Sequence, residues 1–306
     1  MSERVTAATD AADAAGPKAP PRFTDFIAID WSGQAIERPR GLAVAHARAG
    51  DDAPVLVDRA WSRPELLDWL AGLAQRRVRA LIGLDLSPAF PFADAGAYFP
   101  GWTESPADGP ALWALVEALC GDDRHLSASG FVRHPEAARH FRQMGACGDR
   151  FPAGRGRLRV CEHGQQAMGL APYSCFNLVG ASQVGKSSLT GMRVLHRLRG
   201  RIGLWPFDPV PEDGPLFVEI YTALAAREAG MRRGTSKIRD AATLDTMLAA
   251  LGSRPHAPLP RYDDHATDAM LSAAWLRRAA GRPALWAPDG LDRDLAQTEG
   301  WTFGVA

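Results

Sequence analysis

Lysine is scarce in this sequence. Only Lys18, Lys186 and Lys237 are lysines among 35 basic residues, which leaves 32 arginines. The guanidinium group of arginine binds phosphate through two parallel hydrogen bonds, whereas the lysine ammonium acts as a point charge. A basic surface on this protein is therefore expected to be an arginine surface that suits phosphate groups.

Cysteine and long apolar runs are also scarce. The four cysteines form no CxxC pair and do not resemble a disulfide framework. No apolar run reaches the roughly 18 residues that span a bilayer, and the first residues lack the hydrophobic segment of a signal peptide. These absences predict a cytoplasmic protein with no membrane partner. The 46% hydrophobic and 23% charged residues are typical of a globular chain and exclude collagen, coiled coil and disorder.

The formal net charge is zero, but the charges are unevenly distributed. From Arg124 to Arg201 the chain has 13 Lys and Arg residues and three acidic residues, a net charge of +10, and the remainder has 22 basic and 32 acidic residues, a net charge of −10. An average over the whole chain hides such a patch. A polyanionic partner is therefore not excluded, although a solvated arginine-rich surface explains the same charges.

The sequence predicts a short tail followed by one domain. Residues 1–21 are rich in Ala and Pro and have no apolar periodicity, so a disordered tail is expected there. Residues 22–306 are expected to form the domain, with a basic subdomain inserted at about 88–215. Three segments of this insertion have helical patterns: 111–119, 135–144 and 189–198.

The strand and helix patterns of the domain have a simple order. Five short apolar runs bounded by turn residues are expected to be strands: 23–30, 41–48, 54–61, 80–84 and 216–221. Ser62 and Glu65 form a capping box, which predicts that a helix follows the third strand. The order before the insertion is therefore β-β-β-α-β, and two later helices are expected at 241–251 and 263–280.

Two of the predicted strands end in the same pattern. FIAIDWSG and LIGLDLSP each contain about four apolar residues, then Asp, one apolar residue and Ser. Strands that are apolar throughout are buried on both faces, and α/β sheets bind ligands at the carboxyl ends of such strands. Asp30 and Asp85 are therefore expected side by side. A third acid, Glu219 in LFVEIY, must be paired or bind a metal if it is buried, but would face water on an edge strand.

The helix predicted at 263–280 carries two more acids. Asp264 and Asp268 fall on the same helical stripe as Leu271 and Trp275, although Asp264 would also suit the positive end of the helix dipole. Carboxylates that converge in a buried place repel one another unless a cation neutralises them, and oxygen ligands favour Mg²⁺ or Mn²⁺. Paired ions of this kind hydrolyse phosphodiesters. The expected metal ligands are Asp30, Asp85, Asp264, Asp268 and Glu219.

These motifs, in this order, resemble domain-of-unknown-function family 429, a family of predicted RNase H-like nucleases. The similarity covers about residues 23–305. It implies an α/β, RNase H-like fold, with a mixed five-stranded sheet flanked by helices and a large insertion between the fourth and fifth strands. It also implies that Asp30, Asp85 and Asp268 are catalytic. The family pattern has a proline after VEIY, where this chain has Thr222.

The basic segment supplies the expected contacts with nucleic acid. Phosphate contacts from arginine and lysine position a nucleic acid on a protein without reading its sequence. The side chains expected to bind phosphate are Arg133, Arg139, Arg142, Arg155, Arg157, Arg159, Lys186, Arg193 and Arg197. The leading hypothesis is a Mg²⁺- or Mn²⁺-dependent phosphodiesterase with nucleic acid as its partner.

A second motif favours a different function. GASQVGKS, from Gly180 to Ser187, fits the P-loop pattern G-x-x-x-x-G-K-[ST]. In that hypothesis a loop shaped by Gly180 and Gly185 holds the phosphates of ATP or GTP, Lys186 reaches the terminal phosphate and Ser187 binds Mg²⁺. The apolar run CFNLV precedes the motif, as a P-loop strand would. A structural turn that offers an anion site explains the same residues, and a third hypothesis is a nucleic-acid-binding protein without catalysis.

Two weaker patterns lie in the insertion. Cys161 and His163 are close enough in sequence to share a zinc ion, but their spacing matches no standard zinc motif. Four aromatic residues are expected to fill the core or, as the alternative, to stack on bases: Phe131, Phe141, Phe151 and Tyr173.

Overall fold

Three antiparallel strands begin the sheet. A computed structural model of the protein describes four segments of the chain: 23–152, 154–179, 184–232 and 237–306. The predicted tail at 1–21 lies outside the described residues. Strand β1 (Asp25–Asp30) pairs with β2 (Ala43–Arg48), and β2 pairs with the short strand β3 (Val55–Leu56). The three apolar runs therefore correctly predict an antiparallel meander.

Helix α1 connects this meander to a parallel strand. α1 (Arg63–Gln75) begins after Ser62, and the side chains of Ser62 and Glu65 each accept the backbone N–H of the other residue. Strand β4 (Ala80–Asp85) then pairs in parallel with β1. The capping box and the β-β-β-α-β order are both present as predicted.

The insertion consists mainly of short helices and one small hairpin. As far as residue 198, its α-helices and strands are α2 (Gly109–Leu119), α3 (Ser129–Arg133), α4 (Pro135–Ala138), β5 (Arg142–Gln143), β6 (Ala146–Cys147), α5 (Val160–Ala167) and α6 (Val184–Leu198). The patterns at 111–119 and 189–198 correctly predict α2 and α6. The helix predicted at 135–144 ends earlier, because the chain turns from α4 into the hairpin of β5 and β6.

In the described part of the chain the main sheet has six strands, so the prediction of five strands is not confirmed. Strands β7 (Gly203–Trp205) and β8 (Leu216–Glu219) extend it, so that the order is β3-β2-β1-β4-β8-β7. β8 is parallel to β4, and β7 is parallel to β8. β7 is too short to show a period of two residues in the sequence. The coarser prediction of a mixed α/β sheet flanked by helices is confirmed.

The last part of the described chain supplies further helices. These are α7 (Thr222–Glu228), α8 (Ala241–Ala250), α9 (Asp264–Ala279) and α10 (Arg293–Thr298). The patterns at 241–251 and 263–280 correctly predict α8 and α9. The side chain of Asp263 accepts the backbone N–H of Ala266 and so caps α9.

Apolar side chains cover both faces of the sheet. On the face that packs against α1 and the insertion lie Ile27, Ile29, Ile82 and Leu84. On the face that packs against α9 lie Phe26, Ala28, Leu81 and Val218. Most buried apolar residues of the insertion share the first of these two cores with α1, whereas Cys161 and Trp205 belong to the second. Within the described segments, no helix is long and apolar enough to cross a bilayer.

Candidate functional site

Asp30 and Asp85 lie side by side at the ends of adjacent strands. They are aligned residues of the parallel pair β1 and β4. Adjacent strands are about 4.8 Å apart, and aligned side chains point to the same face. Ala28 and Leu81 lie in the core on the α9 side, so the two-residue period places both carboxylates on that face as well. The side-by-side placement predicted from the two matching strand ends is therefore observed.

The surroundings of Asp85 favour a neutral or cation-bound carboxyl group. Burial, followed by repulsion from Asp30 and Asp268, raises the pKa of Asp85 well above its ordinary value. A hydrogen bond from the backbone N–H of Thr222 opposes this increase in the pKa. A proline at position 222 would have no N–H to donate, so this contact depends on the residue at position 222 not being proline.

Asp30 is joined to His265, which the sequence-based predictions do not include. Nδ1 of His265 lies 3.0 Å from Oδ2 of Asp30, and 235 positions separate the two residues. Burial raises the pKa of Asp30, against the lowering effect of His265. The same hydrogen bond raises the pKa of His265. One feature of the sequence pointed to His265: it lies in DDHATDA, between the expected metal ligands Asp264 and Asp268.

The two acids of α9 each contact a basic side chain. Nζ of Lys237 donates a hydrogen bond to Oδ2 of Asp268 at 2.7 Å, and Arg239 pairs with Asp264. Burial raises the pKa of Asp268, and Lys237 opposes this effect. The charge of Asp268 in turn raises the pKa values of Asp30 and Asp85. Asp268 therefore forms a cluster with Asp30 and Asp85, which is called the acid group below. Asp264 is the more exposed of the two helix acids.

Glu219 does not join this acid group. It aligns with Leu84 and shares the face of Phe217, so its side chain points away from α9. Its two carboxylate oxygens accept hydrogen bonds from Arg159 at 2.8 and 2.5 Å, and Thr302 donates a third at 2.8 Å. This corrects the expectation that Glu219 is a metal ligand, because its buried charge already has a cationic partner.

Arg159 and Arg193 are buried, which corrects their expected role as phosphate-binding residues. Arg159 is fully buried and also forms hydrogen bonds with Ser87, which follows β4, and with Glu162 of α5. Ser87 and Glu162 both line the cleft at this end of the sheet. Arg193 is equally buried and binds Glu117. Neither guanidinium group is accessible to a polyanion in solution. Both side chains instead neutralise carboxylates: Arg159 joins the insertion to Glu219 of the sheet, and Arg193 joins α6 to α2 within the insertion.

The other arginines expected to bind phosphate fall into two groups. Four pair with acidic side chains: Arg133, Arg139, Arg157 and Arg197. The two others have exposed side chains: Arg142 and Arg155. The positive surface of the segment from Arg124 to Arg201 is therefore smaller than its sequence charge of +10 suggests, because several of its arginines pair with acids outside this segment.

A cleft of about 890 Å³ opens at the end of the sheet that carries the acids. Its lining includes the polar side chains Asp85, Glu162, His265, Lys186 and Ser187. Ile36 and Tyr173 also line it and are 48% and 47% exposed. Phe131 and Phe141 are buried and Phe151 packs against the same core, so the core interpretation is correct for these three aromatic residues but not for Tyr173. Basic, acidic and aromatic side chains therefore share one cleft.

The loop after β1 packs against the first turns of α6. Nε1 of Trp31 donates a hydrogen bond to Oγ1 of Thr190 at 2.9 Å, and Oγ of Ser187 donates to the carbonyl oxygen of Trp31 at 3.4 Å. Gly33 lies directly against the backbone of Lys186. The DWSG and VGKS motifs, which predict different functions from the sequence, therefore form two parts of the same cleft.

Arg63 holds this loop from the side of α1. Its guanidinium group donates to the carbonyl oxygens of Ser32 and Gln34, and to that of His125 in the insertion. Burial, together with the charge of Arg193, lowers the pKa of Arg63 to about 10. Arg63 is absent from the sequence-based predictions, because an arginine in the first turn of a helix carries no local sign of burial.

The surroundings of VGKS differ from those of a P-loop. Gly180 lies outside the described residues, while Gly185, Lys186 and Ser187 belong to α6. Gly185 is required for packing, because a Cβ atom there would lie 1.9 Å from the carbonyl oxygen of Cys175. In the described segment before α6, Asn177 forms only an isolated bridge, so the run CFNLV is not a strand of the main sheet. The strand that the P-loop hypothesis expects before the motif is therefore absent from the main sheet of the described residues.

The carboxylate oxygens of Asp30 and Asp85 fit a hard divalent cation that is bound by few protein ligands. No three His, Cys, Asp or Glu side chains of the described segments lie close enough together to hold a metal ion. Mg²⁺ is typically bound by one or two carboxylates together with water and substrate phosphates, which the pair of Asp30 and Asp85 can supply. A zinc site at Cys161 and His163 is not supported in the described segments, because Cys161 is buried, His163 is exposed and no third ligand lies close to them.

Comparisons with known proteins found no relative. A scan against protein-family models, a search of curated proteins and a search of solved structures each returned no match. The resemblance to family 429 therefore stays a prediction, and the function has to be inferred from the residues of this chain.

Proposed function

We propose that this protein is a Mg²⁺- or Mn²⁺-dependent phosphodiesterase that acts on nucleic acid. The observation that carries the proposal is the aligned pair of Asp30 and Asp85, which shares one face of the sheet with Asp268 of α9. Burial raises the pKa of both aligned acids, and repulsion between the carboxylates adds to this effect. A divalent cation bound by Asp30 and Asp85 would remove this repulsion.

The residues around the pair suit phosphodiester hydrolysis. A hard cation at this place supplies activation of water and stabilisation of the leaving oxygen. His265 holds the Asp30 carboxylate in one orientation through Nδ1 and lines the cleft. Lys186 lines the same cleft and supplies a positive charge for a substrate phosphate. Each of these residues therefore has a place in the proposed reaction.

The strand arrangement supports RNase H-like as the finer fold assignment. β1, β2 and β3 are antiparallel, β4 and β8 are parallel to β1, and the large insertion lies between β4 and β8. This is the arrangement that the resemblance to family 429 implies, with one additional strand. One fold hosts many functions. The fold assignment therefore supports the proposed phosphodiesterase function but is not its main evidence.

The cleft suits a substrate that contains both phosphate and flat apolar groups. Lys186 lies in the same lining as the exposed side chains of Tyr173 and Ile36. Exposed aromatic rings in such clefts stack on bases of single-stranded nucleic acid. Arg142 and Arg155 are exposed in the basic insertion and are available for further phosphate contacts. Nucleic acid combines these two kinds of group.

Cleavage assays with the purified protein test the proposal. Single- and double-stranded DNA and RNA and a branched DNA would be incubated with Mg²⁺, Mn²⁺ or a chelator. We expect metal-dependent cleavage that is lost in Asp30→Asn and Asp85→Asn and kept in Asp289→Asn, whose side chain is exposed away from the cleft. Circular dichroism would show that the variants are folded. If no substrate is cleaved with either metal, the proposal fails.

Nucleotide hydrolysis is a second candidate, because Lys186 and Ser187 line the cleft. In that case Lys186→Ala abolishes binding of ATP or GTP, and Asp30→Asn does not. The third candidate, binding of nucleic acid without catalysis, predicts salt-dependent binding that neither chelator nor the Asp substitutions change. The same set of variants therefore separates all three functions.

A further inference from the structure

Lys237 supplies a positive charge to the acid group at the end of the sheet. Its Nζ atom lies 2.7 Å from Oδ2 of Asp268, and its charge also interacts with those of Asp264 and Asp30. The side chain of Asp268 is 15% exposed and that of Lys237 is 48% exposed. Because one partner is mostly buried, solvent ions screen this pair less than a pair on the open surface.

The residues next to Lys237 hold it in this position. Ile238 is 2% exposed and belongs to the core on the α9 side, and Arg239 pairs with Asp264. Asp264 and Asp268 are four residues apart and therefore neighbours on one face of α9. Lys237 and Arg239, on either side of the buried Ile238, thus contact these two neighbouring acids. Both carboxylates that α9 would offer to a metal ion already have cationic partners.

The choice of lysine is informative in a chain that otherwise uses arginine. Of 35 basic residues 32 are arginine, and the two lysines of the described segments are Lys186 and Lys237. Lys186 lines the cleft, and Lys237 contacts Asp268. The lysine ammonium is a compact point charge with three donors, whereas the guanidinium group is a planar fork. A compact charge is the better substitute for a metal ion among carboxylates.

We propose that Lys237 replaces a second metal ion, so that the site takes up a single divalent cation at Asp30 and Asp85. This inference rests on the proposed phosphodiesterase function. During hydrolysis the water oxygen bonds to phosphorus, the ester P–O bond breaks and the leaving oxygen takes up a proton. Fixed positive charges near the reacting phosphoryl group stabilise the negative charge that develops there. Lys237 contributes such a charge from the side of Asp268.

Counting bound ions tests the role of Lys237 independently of activity. Isothermal titration calorimetry of the full chain with Mn²⁺, checked by electron paramagnetic resonance of free Mn²⁺, is expected to give one ion per wild-type chain. Lys237→Ala is expected to bind two ions, because Asp268 then lacks its partner. Lys237→Arg keeps a cation at this position and is expected to bind one ion, and Arg199→Ala serves as a control on an exposed arginine.

The possible ion counts separate this inference from the proposed function. Two ions in the wild type, or one ion in Lys237→Ala, would overturn the role of Lys237 and leave a metal-dependent phosphodiesterase intact. No bound ion in any of these proteins would overturn both. A second readout is the melting temperature in chelator, which is expected to fall in Lys237→Ala and to be restored by Mn²⁺. An unchanged melting temperature in chelator would also count against the inference.

Discussion

A Cβ atom placed on Gly33 would lie 2.3 Å from the carbonyl carbon of Lys186 and 2.4 Å from the backbone nitrogen of Ser187. The loop after β1 and the start of α6 therefore touch backbone to backbone at this point. Asp30 lies three residues before this glycine, and Lys186 carries the basic side chain of the cleft. Because Gly33 has no side chain, the two segments can approach this closely. That approach sets the distance between the acid group and Lys186.

Gly33→Ala is expected to destabilise the protein. The new methyl group would meet backbone atoms of α6, which cannot move without shifting the helix, so we expect a loss of about 1–3 kcal/mol in the free energy of unfolding. Urea denaturation measures this loss. Gly121→Ala is the matched control, because a Cβ atom there would lie 3.8 Å from its nearest neighbour. Equal stability of the two variants would contradict the close contact.

Arg159→Met is expected to lower the free energy of unfolding more than any substitution of an exposed arginine. The substitution leaves Glu219 and Glu162 buried without their cationic partner, a situation that typically costs about 3–5 kcal/mol. The control is Arg155→Met, for which a change within about 0.5 kcal/mol is expected because that side chain is exposed. Denaturant unfolding of both variants at neutral pH checks this. If the two variants unfold at the same denaturant concentration, the buried network does not stabilise the fold.

Local signals predicted most of the fold. The capping box of Ser62 and Glu65 lies within four residues and marks the start of α1 correctly. The strand ends at Asp30 and Asp85 were also readable, since both follow a continuous apolar run. β7 could not be predicted, because three residues do not establish a strand pattern and its pairing with β8 is a tertiary contact.

The site was only partly predictable, for reasons of register and distance along the chain. The face on which Glu219 lies depends on its alignment with Leu84, and a shift of one residue would reverse it. The insertion separates these two strands, so the sequence does not contain that register. The contact between His265 and Asp30 joins positions 235 residues apart. Only the folded chain brings such residues together.

Asp85→Asn is expected to stabilise the metal-free protein at neutral pH. Burial and neighbouring carboxylates raise the pKa of Asp85 in the folded state, so folding favours the protonated form. This contribution to stability is fully present below the pKa of the unfolded state and is lost as the pH rises through the raised pKa of the folded state. The Asn variant has no such charge, so its advantage over the wild type should grow with pH, to about 0.5–2 kcal/mol.

Unfolding in chelator across a pH series measures this difference. Asp289→Asn is the control, because an exposed carboxylate should show no advantage that grows with pH. Added Mn²⁺ is expected to reverse the order, since it stabilises the wild type and not the variant. A wild type that is more stable than Asp85→Asn in chelator at neutral pH would show that the acid group is not under electrostatic strain.

Tyr173→Ala is expected to weaken binding of single-stranded oligonucleotides. Stacking of a base on an aromatic ring contributes about 1–3 kcal/mol, which corresponds to roughly 5- to 150-fold in Kd. Tyr173→Phe keeps the ring and is expected to bind nearly as tightly as the wild type. Met144→Ala is the control, because Met144 is 88% exposed but does not line the cleft. Fluorescence anisotropy in the Asp85→Asn background measures binding without cleavage, and an equal loss in Tyr173→Phe would assign the effect to the hydroxyl group instead of the ring.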